Sequence, residues 1–316
     1  MLSVTGIFYF YADMINLTTK IILLIVPVLV ASILVTDALL VDSRATDSHT
    51  VSTDTPVTPV TDEVRVVSFS PEISEIIAYL GGIDSLAATD INSTYPDELK
   101  KLPKIADYYS VNQEALSALN FDHILLSRDF NALIISKLTK YQNKLRIYSI
   151  TDGSDLLKVI EDLGKILHRE KQASDIINDI QMKIQNLREE HANKHVIKTA
   201  IVIWDKPLLT AGGETFLNQA VKICGGSNIF EKLTIKFPSV SAEKLIAGKP
   251  DVVISLIDDN QNLPSSLKNR TVVLTREQQD SLMKISPRSY ETGIPAVCQA
   301  IDSARNLVHD KTQTAD

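Results

Sequence analysis

Residues 155–188 carry one continuous helical pattern, and this stretch limits the fold more than any other. Leu156, Val159, Ile160, Leu163, Ile166, Leu167, Ile176, Ile177, Ile180, Ile184 and Leu187 recur at helical spacing. Proline is absent from the stretch, and Gly164 is its only glycine. At ~1.5 Å per residue such a helix would span roughly 50 Å, more than one small domain. A pattern of this length reads either as a coiled coil or as a strut between two lobes.

The flanking sequence decides between them. Before the long helix, 64–69, 86–89, 122–127 and 145–150 read as strands, alternating with helices over 71–80, 113–119 and 133–141. After it, 199–204, 251–256 and 271–275 read as strands, and 214–223, 242–247 and 295–308 as helices. Alternation of this kind implies parallel βαβ units. The expected fold is therefore α/β, with two Rossmann-like lobes joined by one long rigid helix. The lobes are assigned to 65–152 and 196–316, the latter ending in a flexible tail, and the interlobe helix to 153–195.

An internal repeat supports the two-lobe reading. A constant offset of 129 residues pairs Ser110 with Ser239, Val111 with Val240 and Glu114 with Glu243. The same offset pairs Leu116 with Leu245, Ala118 with Ala247 and Asp122 with Asp251, six identities over 108–122. It also sets Tyr108 opposite Phe237. Each copy is a loop entering a short helix, with Asn112 or Ser241 as N-cap. Glu114 and Glu243 then fall in the first turn, where the helix dipole favours a carboxylate. The bland reading is that each glutamate only stabilises its helix. The duplication favours another, in which two lobes present equivalent acids on the rim to a two-fold symmetric partner with basic pockets. Tyr108 and Phe237, in loops at strand ends, are expected to face each other across an interlobe cleft. The alternative for them is ordinary core packing.

The N-terminal residues lie outside this pattern. Residues 21–35 form an almost unbroken apolar run, with Lys20 before it and no acid until Asp37, as in the hydrophobic region of a signal peptide. Residues 1–41 are thus expected to be an export signal, or a membrane anchor if uncleaved. Residues 42–64, rich in Thr, Ser, Asp and Pro, are expected to be a flexible linker. A net charge of −7 argues against a nucleic-acid partner. In an exported chain the two cysteines, Cys224 and Cys298, suggest one disulfide, the alternative being two buried thiols.

Enzymatic motifs are missing from the sequence. It has no Gly-x-Ser-x-Gly elbow, no His-Glu-x-x-His pair and no P-loop. Residues 211–215 are glycine-rich without the P-loop lysine; they read as a loop closing on a helix N-terminus that offers room for a phosphate or carboxylate. The histidines are scattered, and His191 and His195 are read as exposed. No metal site and no catalytic residue is assigned.

Over residues 65–308 the chain resembles the periplasmic cobalamin-binding proteins of bacterial ABC importers, in the helical-backbone class (class III) of periplasmic solute-binding proteins. The stretches carrying the resemblance include Ser70-Pro71, Thr94-Tyr95-Pro96, the segment from Asn112 to Glu114, Cys224-Gly225-Gly226-Ser227-Asn228-Ile229-Phe230, the segment from Phe237 to Glu243, and Ser286-Pro287-Arg288. The resemblance implies a periplasmic monomer that binds a corrinoid between its lobes and delivers it to an ABC importer permease dimer, with no cofactor of its own. It implies ligand contacts at Asn92, Tyr108, Ser127, Leu209, Phe237, Asp280 and Lys284, permease docking through Glu114 and Glu243, and a Cys224–Cys298 disulfide. Tryptophans expected at several cleft positions are replaced here by Tyr108, Ser127 and Phe237, and the sole tryptophan, Trp204, lies at a strand end. Haem, a cobinamide or a ferric siderophore are therefore the alternative ligands. A chelatase-like enzyme on a two-lobe fold is the alternative from a different class.

Overall fold

A computed structural model of the chain describes residues 63–258 and 263–313, with side chains as far as Val308. The expected signal and nearly all of the expected linker lie outside the described residues. No helix among the described residues is long and apolar enough to cross a membrane.

The first lobe is built on five parallel strands: β1 (Val66–Ser68), β2 (Leu86–Asp90), β3 (Lys104–Ala106), β4 (His123–Ser127) and β5 (Leu145–Tyr148). They lie in the order β3-β2-β1-β4-β5. Helix α1 (Pro71–Tyr79) leaves β1 with proline at its start and Glu72 in its first turn, as the sequence predicts. Helix α2 (Gln113–Ala118) and the short α3 (Ala132–Ile135) follow β3 and β4. Val67, Phe69, Leu116, Phe121, Ile124, Leu126, Ile134 and Leu138 form the core of this lobe.

The second lobe has a mixed sheet. Its central strand is β6 (Ile197–Asp205), flanked on one side by β9 (Val252–Ser255) and β10 (Thr271–Val273). On the other side β8 (Gly226–Asn228) pairs in parallel with the start of β6, and β7 (Leu208–Thr210) pairs antiparallel with its end. Helices α6 (Phe216–Ile223), α7 (Ala242–Ala247), α8 (Arg276–Met283) and α9 (Ile294–Gln313) complete it. The closing helix thus continues beyond residue 308, where the sequence pattern ends.

The single long helix is corrected by the structure. It is two helices, α4 (Gly153–Ile166) and α5 (Glu170–His191). His168 between them takes a left-handed conformation, with φ +54°. The apolar spacing runs through this break although the buried sets differ, Leu156, Val159, Ile160 and Leu163 in α4 and Ala173, Ile180 and His191 in α5. Gly164 marks the corner: a Cβ there would lie 2.5 Å from that of Ala173. α4 packs on the first lobe, where Tyr148 of β5 donates to Asp162 at 2.7 Å. The strut is therefore α5 alone, about 33 Å long at ~1.5 Å per residue.

His191, read from sequence as exposed, is buried at the far end of α5. Its Nδ1 lies 2.6 Å from the Leu187 carbonyl and its Nε2 3.2 Å from Asp302 of α9. It joins the strut to the second lobe.

The repeat has a structural meaning. Asp122 accepts from the Arg65 amide at 2.8 Å and donates its own amide to the Arg65 carbonyl at 2.7 Å. Asp251 makes the same double clasp with Lys198, at 2.9 and 2.7 Å. Each lobe thus anchors the entry to its penultimate βα unit against its first strand. Leu116 and Leu245 are fully buried beneath the two short helices.

A polar seam joins the lobes. Glu75 of α1, 1% exposed, accepts from Arg288 at 3.0 Å and from Ser286 at 2.8 Å, with Lys284 at 3.8 Å. Arg288 also stacks 3.9 Å over the Tyr95 ring. Tyr79 donates to Glu291 at 2.6 Å, and Lys183 of α5 lies 3.7 Å from the same carboxylate.

Cys224 and Cys298 form a disulfide that links the end of α6 to α9 across 74 residues. Closing a loop of that size contributes about 4 kcal/mol in the chain-entropy account. Cys298→Ser should lower stability by about 2–4 kcal/mol in urea unfolding; a loss under about 1 kcal/mol would show the bridge to be dispensable. Arg288→Met should cost about 3 kcal/mol by stranding the Glu75 carboxylate, and adding Glu75→Gln should recover much of that loss. If the double variant is no more stable than the single one, the buried pair is not what holds the seam.

Candidate functional site

In a parallel sheet every strand delivers its carboxyl end to the same edge. The order β3-β2-β1-β4-β5 reverses direction beside β1, and the crevice at such a switch point is where an open α/β sheet takes a ligand. Three of the seven expected ligand residues share this edge. Asn92 follows β2, Tyr108 follows β3 and Ser127 ends β4.

The floor of this edge is acidic and buried. Asp90, 2% exposed, accepts from the Asn92 amide at 2.9 Å and from the Ser93 hydroxyl. Burial pushes its carboxyl above the usual range, while Lys104 and Lys284 oppose that shift. Lys104 in turn donates to Thr89, the Ser93 carbonyl and the Leu99 carbonyl at 2.6 to 2.9 Å. Glu72 is also buried, and burial raises its carboxyl, with the neighbouring Asp90 charge adding to the effect. The Ser70 and Ser127 hydroxyls lie beside it.

The wall of the edge is aromatic. Tyr108 meets Phe130 edge to face at 5.7 Å and Tyr109 at 5.1 Å. Phe130 was not picked out from sequence. It follows β4 by three residues, and its amide donates to the Ser127 hydroxyl at 3.4 Å, so it belongs to the same cluster.

Leu209, Phe237, Asp280 and Lys284 come from the second lobe. Leu209 sits in β7 and Phe237 directly precedes a segment that lies along β7. The Thr210 amide donates to Pro238, the Val240 amide to Leu208, and Leu209 bridges Ser239. Phe237 is half-buried and Asp280 exposed. Lys284, at the end of α8, is the expected ligand residue that reaches the first lobe, through Glu75.

The amides of the glycine-rich loop are engaged within the chain. The Gly212 amide donates to Lys236 and the Gly213 amide to Leu233, at 2.8 and 3.0 Å. A Cβ at Gly213 would lie 1.9 Å from the Glu231 carbonyl, so this loop is glycine-rich because residues 231–236 pack against its backbone.

Glu114 and Glu243 are both exposed in the first turns of α2 and α7. Both helices are capped as expected. Asn112 accepts from the Ala115 amide at 3.0 Å, and Ser241 from the Lys244 amide at 3.3 Å. The Ser241 hydroxyl and its own amide hold the Glu243 carboxyl below its usual range.

A vitamin B12-binding protein of Yersinia pseudotuberculosis is 30% identical over 198 residues, covering 60% of this chain and 68% of that protein. The solved periplasmic vitamin B12-binding protein of Vibrio cholerae superposes with a TM-score of 0.66 at 22% identity, covering 76% of this chain and 97% of that one. A periplasmic heme-binding protein from Roseiflexus superposes with a TM-score of 0.64 at 19% identity, covering 77% and 99%. At these identities the two structures show a shared two-lobed α/β fold. The family is one of solute binding, which sets aside the chelatase-like alternative. Residues 66–274 match the family model described as periplasmic binding protein, and the chain belongs to that family.

Proposed function

We propose that this chain is the solute-binding component of an ABC importer, that it acts on the periplasmic side of the membrane, and that its cargo is cobalamin or a related corrinoid. The observation that carries the ligand assignment is the 30% identity to a vitamin B12-binding protein. In this reading the ligand lies between the carboxyl edge of the first sheet and the β7 side of the second. Asn92, Tyr108, Ser127, Leu209, Phe237, Asp280 and Lys284 contact it. Tyr108 and Phe237 supply ring surface to a flat macrocycle, and Lys284 and Asp280 supply charge at its periphery.

A heme ligand is the second reading, supported by the fold likeness to a heme-binding protein at nearly the same TM-score. Absorbance and calorimetric titration with cyanocobalamin, cobinamide, haem and a ferric siderophore separates the two. Tight 1:1 binding of cyanocobalamin is expected. Saturation by haem with no response to cyanocobalamin would move the assignment to the second reading. Tyr108→Ala and Phe237→Ala should each weaken binding about fivefold, the scale of one lost aromatic contact.

Glu114 and Glu243 are the docking residues of this proposal. They are exposed, duplicated and carried on equivalent capped helices, as contact with a two-fold symmetric permease requires. Glu114→Ala with Glu243→Ala should leave ligand affinity unchanged and reduce transport by about tenfold or more. Normal transport by the double variant would remove the docking assignment.

A further inference from the structure

His191 finds in the fold the partners that its sequence neighbourhood lacks. Its Nε2 lies 3.2 Å from Oδ2 of Asp302, 111 residues away on α9. Glu190 joins them: one donor atom each from Glu190, His191 and Asp302 lie within 4.8 Å of one another. None of the three has a part in the function proposed above.

The ring is oriented. Nδ1 of the buried His191 lies 2.6 Å from the Leu187 carbonyl. A carbonyl oxygen only accepts, so the proton of a neutral ring sits on Nδ1 and Nε2 carries the lone pair. That lone pair is aimed at the Asp302 carboxylate, itself only an acceptor. Two acceptors this close hold together around a cation, either a second ring proton or a metal ion. A ring nitrogen and a carboxylate oxygen bound to one zinc at about 2.0–2.2 Å stand roughly 3 to 3.5 Å apart, and the observed spacing falls in that range. The Leu187 carbonyl is also the kind of partner that fixes a metal-binding histidine through its other nitrogen.

Two basic side chains border the cluster. Arg305 donates to Oδ1 of Asp302, while its Nε and Nη2 donate to the His195 and Cys224 carbonyls at 2.8 and 3.3 Å. It is thereby tied to one oxygen and leaves Oδ2 to the ring. Lys194 lies 3.0 Å from Glu190 and 3.5 Å from Asp302. Its ammonium bridges the two carboxylates that a metal would bridge, on a flexible stem that can turn out to solvent. The helix dipole favours positive charge here, at the C-terminal end of α5. Both cysteines are in the disulfide, so no thiol competes for the ion.

We propose that Glu190, His191 and Asp302 bind a divalent transition-metal ion of the zinc class, displacing the Lys194 ammonium, and that the ion staples the end of α5 to α9. One nitrogen with two carboxylates suits zinc or cobalt, whereas calcium and magnesium take oxygen ligands. The inference does not depend on which ligand the cleft carries. The full-length wild type, Asp302→Asn, His191→Gln and Lys194→Met are stripped with EDTA and titrated calorimetrically with Zn²⁺, with and without excess Mg²⁺. Thermal unfolding is followed in parallel with and without Zn²⁺.

The wild type should bind one equivalent of Zn²⁺ that Mg²⁺ does not displace, and saturation should raise its unfolding midpoint by about 3 °C or more. Asp302→Asn and His191→Gln should weaken binding about tenfold or more, and Lys194→Met should tighten it about threefold or more by removing a competing charge. If His191→Gln fails to fold, Asp302→Asn and Lys194→Met decide. Zn²⁺ binding that is absent, that Mg²⁺ displaces, or that is equal in the wild type, Asp302→Asn and Lys194→Met overturns the site. The cluster is then an ion-pair network that joins the strut to the second lobe, and the proposed function stands.

Discussion

A carboxylate with 1% exposure is stable only beside a positive charge, and Glu75 finds that charge on the other lobe. Arg288 reaches it from the turn before α9, Ser286 adds a hydrogen bond and Lys284 stands close by. Glu75 lies one helical turn after the start of α1, and α1 starts at the carboxyl end of β1. The seam therefore sits one turn below the edge where a parallel sheet takes its ligand. It also holds Lys284, an expected ligand residue, against the first lobe. Closing the seam by a salt bridge rather than an apolar patch makes the contact specific in partner and geometry, because either charge left alone in the interior is costly.

The two lobes solve one folding problem twice. In each, an aspartate clasps the backbone beside the first strand, and a short capped helix is pinned by a buried leucine. On a helix, two residues correspond to about 200° of rotation. Glu114 and Glu243 precede Leu116 and Leu245 by two, so burial of the leucine turns the glutamate outward. Their exposure follows from the packing of the repeat, and the two acids have equivalent settings without any direct contact between them.

The aromatic residues are distributed differently. Tyr108 is joined by Phe130, which belongs to another strand end, and Leu209 by Trp204, across a hairpin. Neither partner is near its neighbour in a way that spacing reveals. Phe130 can meet Tyr108 because each follows the carboxyl end of its strand, at one edge of the sheet, and Trp204 meets Leu209 only once the register of the β6–β7 hairpin is known.

Local pattern was enough to identify the two α/β lobes, the start of α1 at Ser70 and Pro71, both capped short helices and the repeat that relates them. The elements depend on residues within one turn or one strand of each other, where side-chain spacing and capping chemistry act directly, and the repeat shows as identities at one offset. Long-range packing decided the rest. The corner between α4 and α5 is invisible to periodicity, since apolar residues continue at helical spacing across it and Gly164 reads as a tolerated interruption. Sequence cannot show that the chain returns at 231–236 to use the amides of Gly212 and Gly213. His191 looked exposed because its partner, Asp302, lies 111 residues away. The seam of Glu75 and Arg288 joins residues 213 apart, a contact that only the folded arrangement of the two lobes creates.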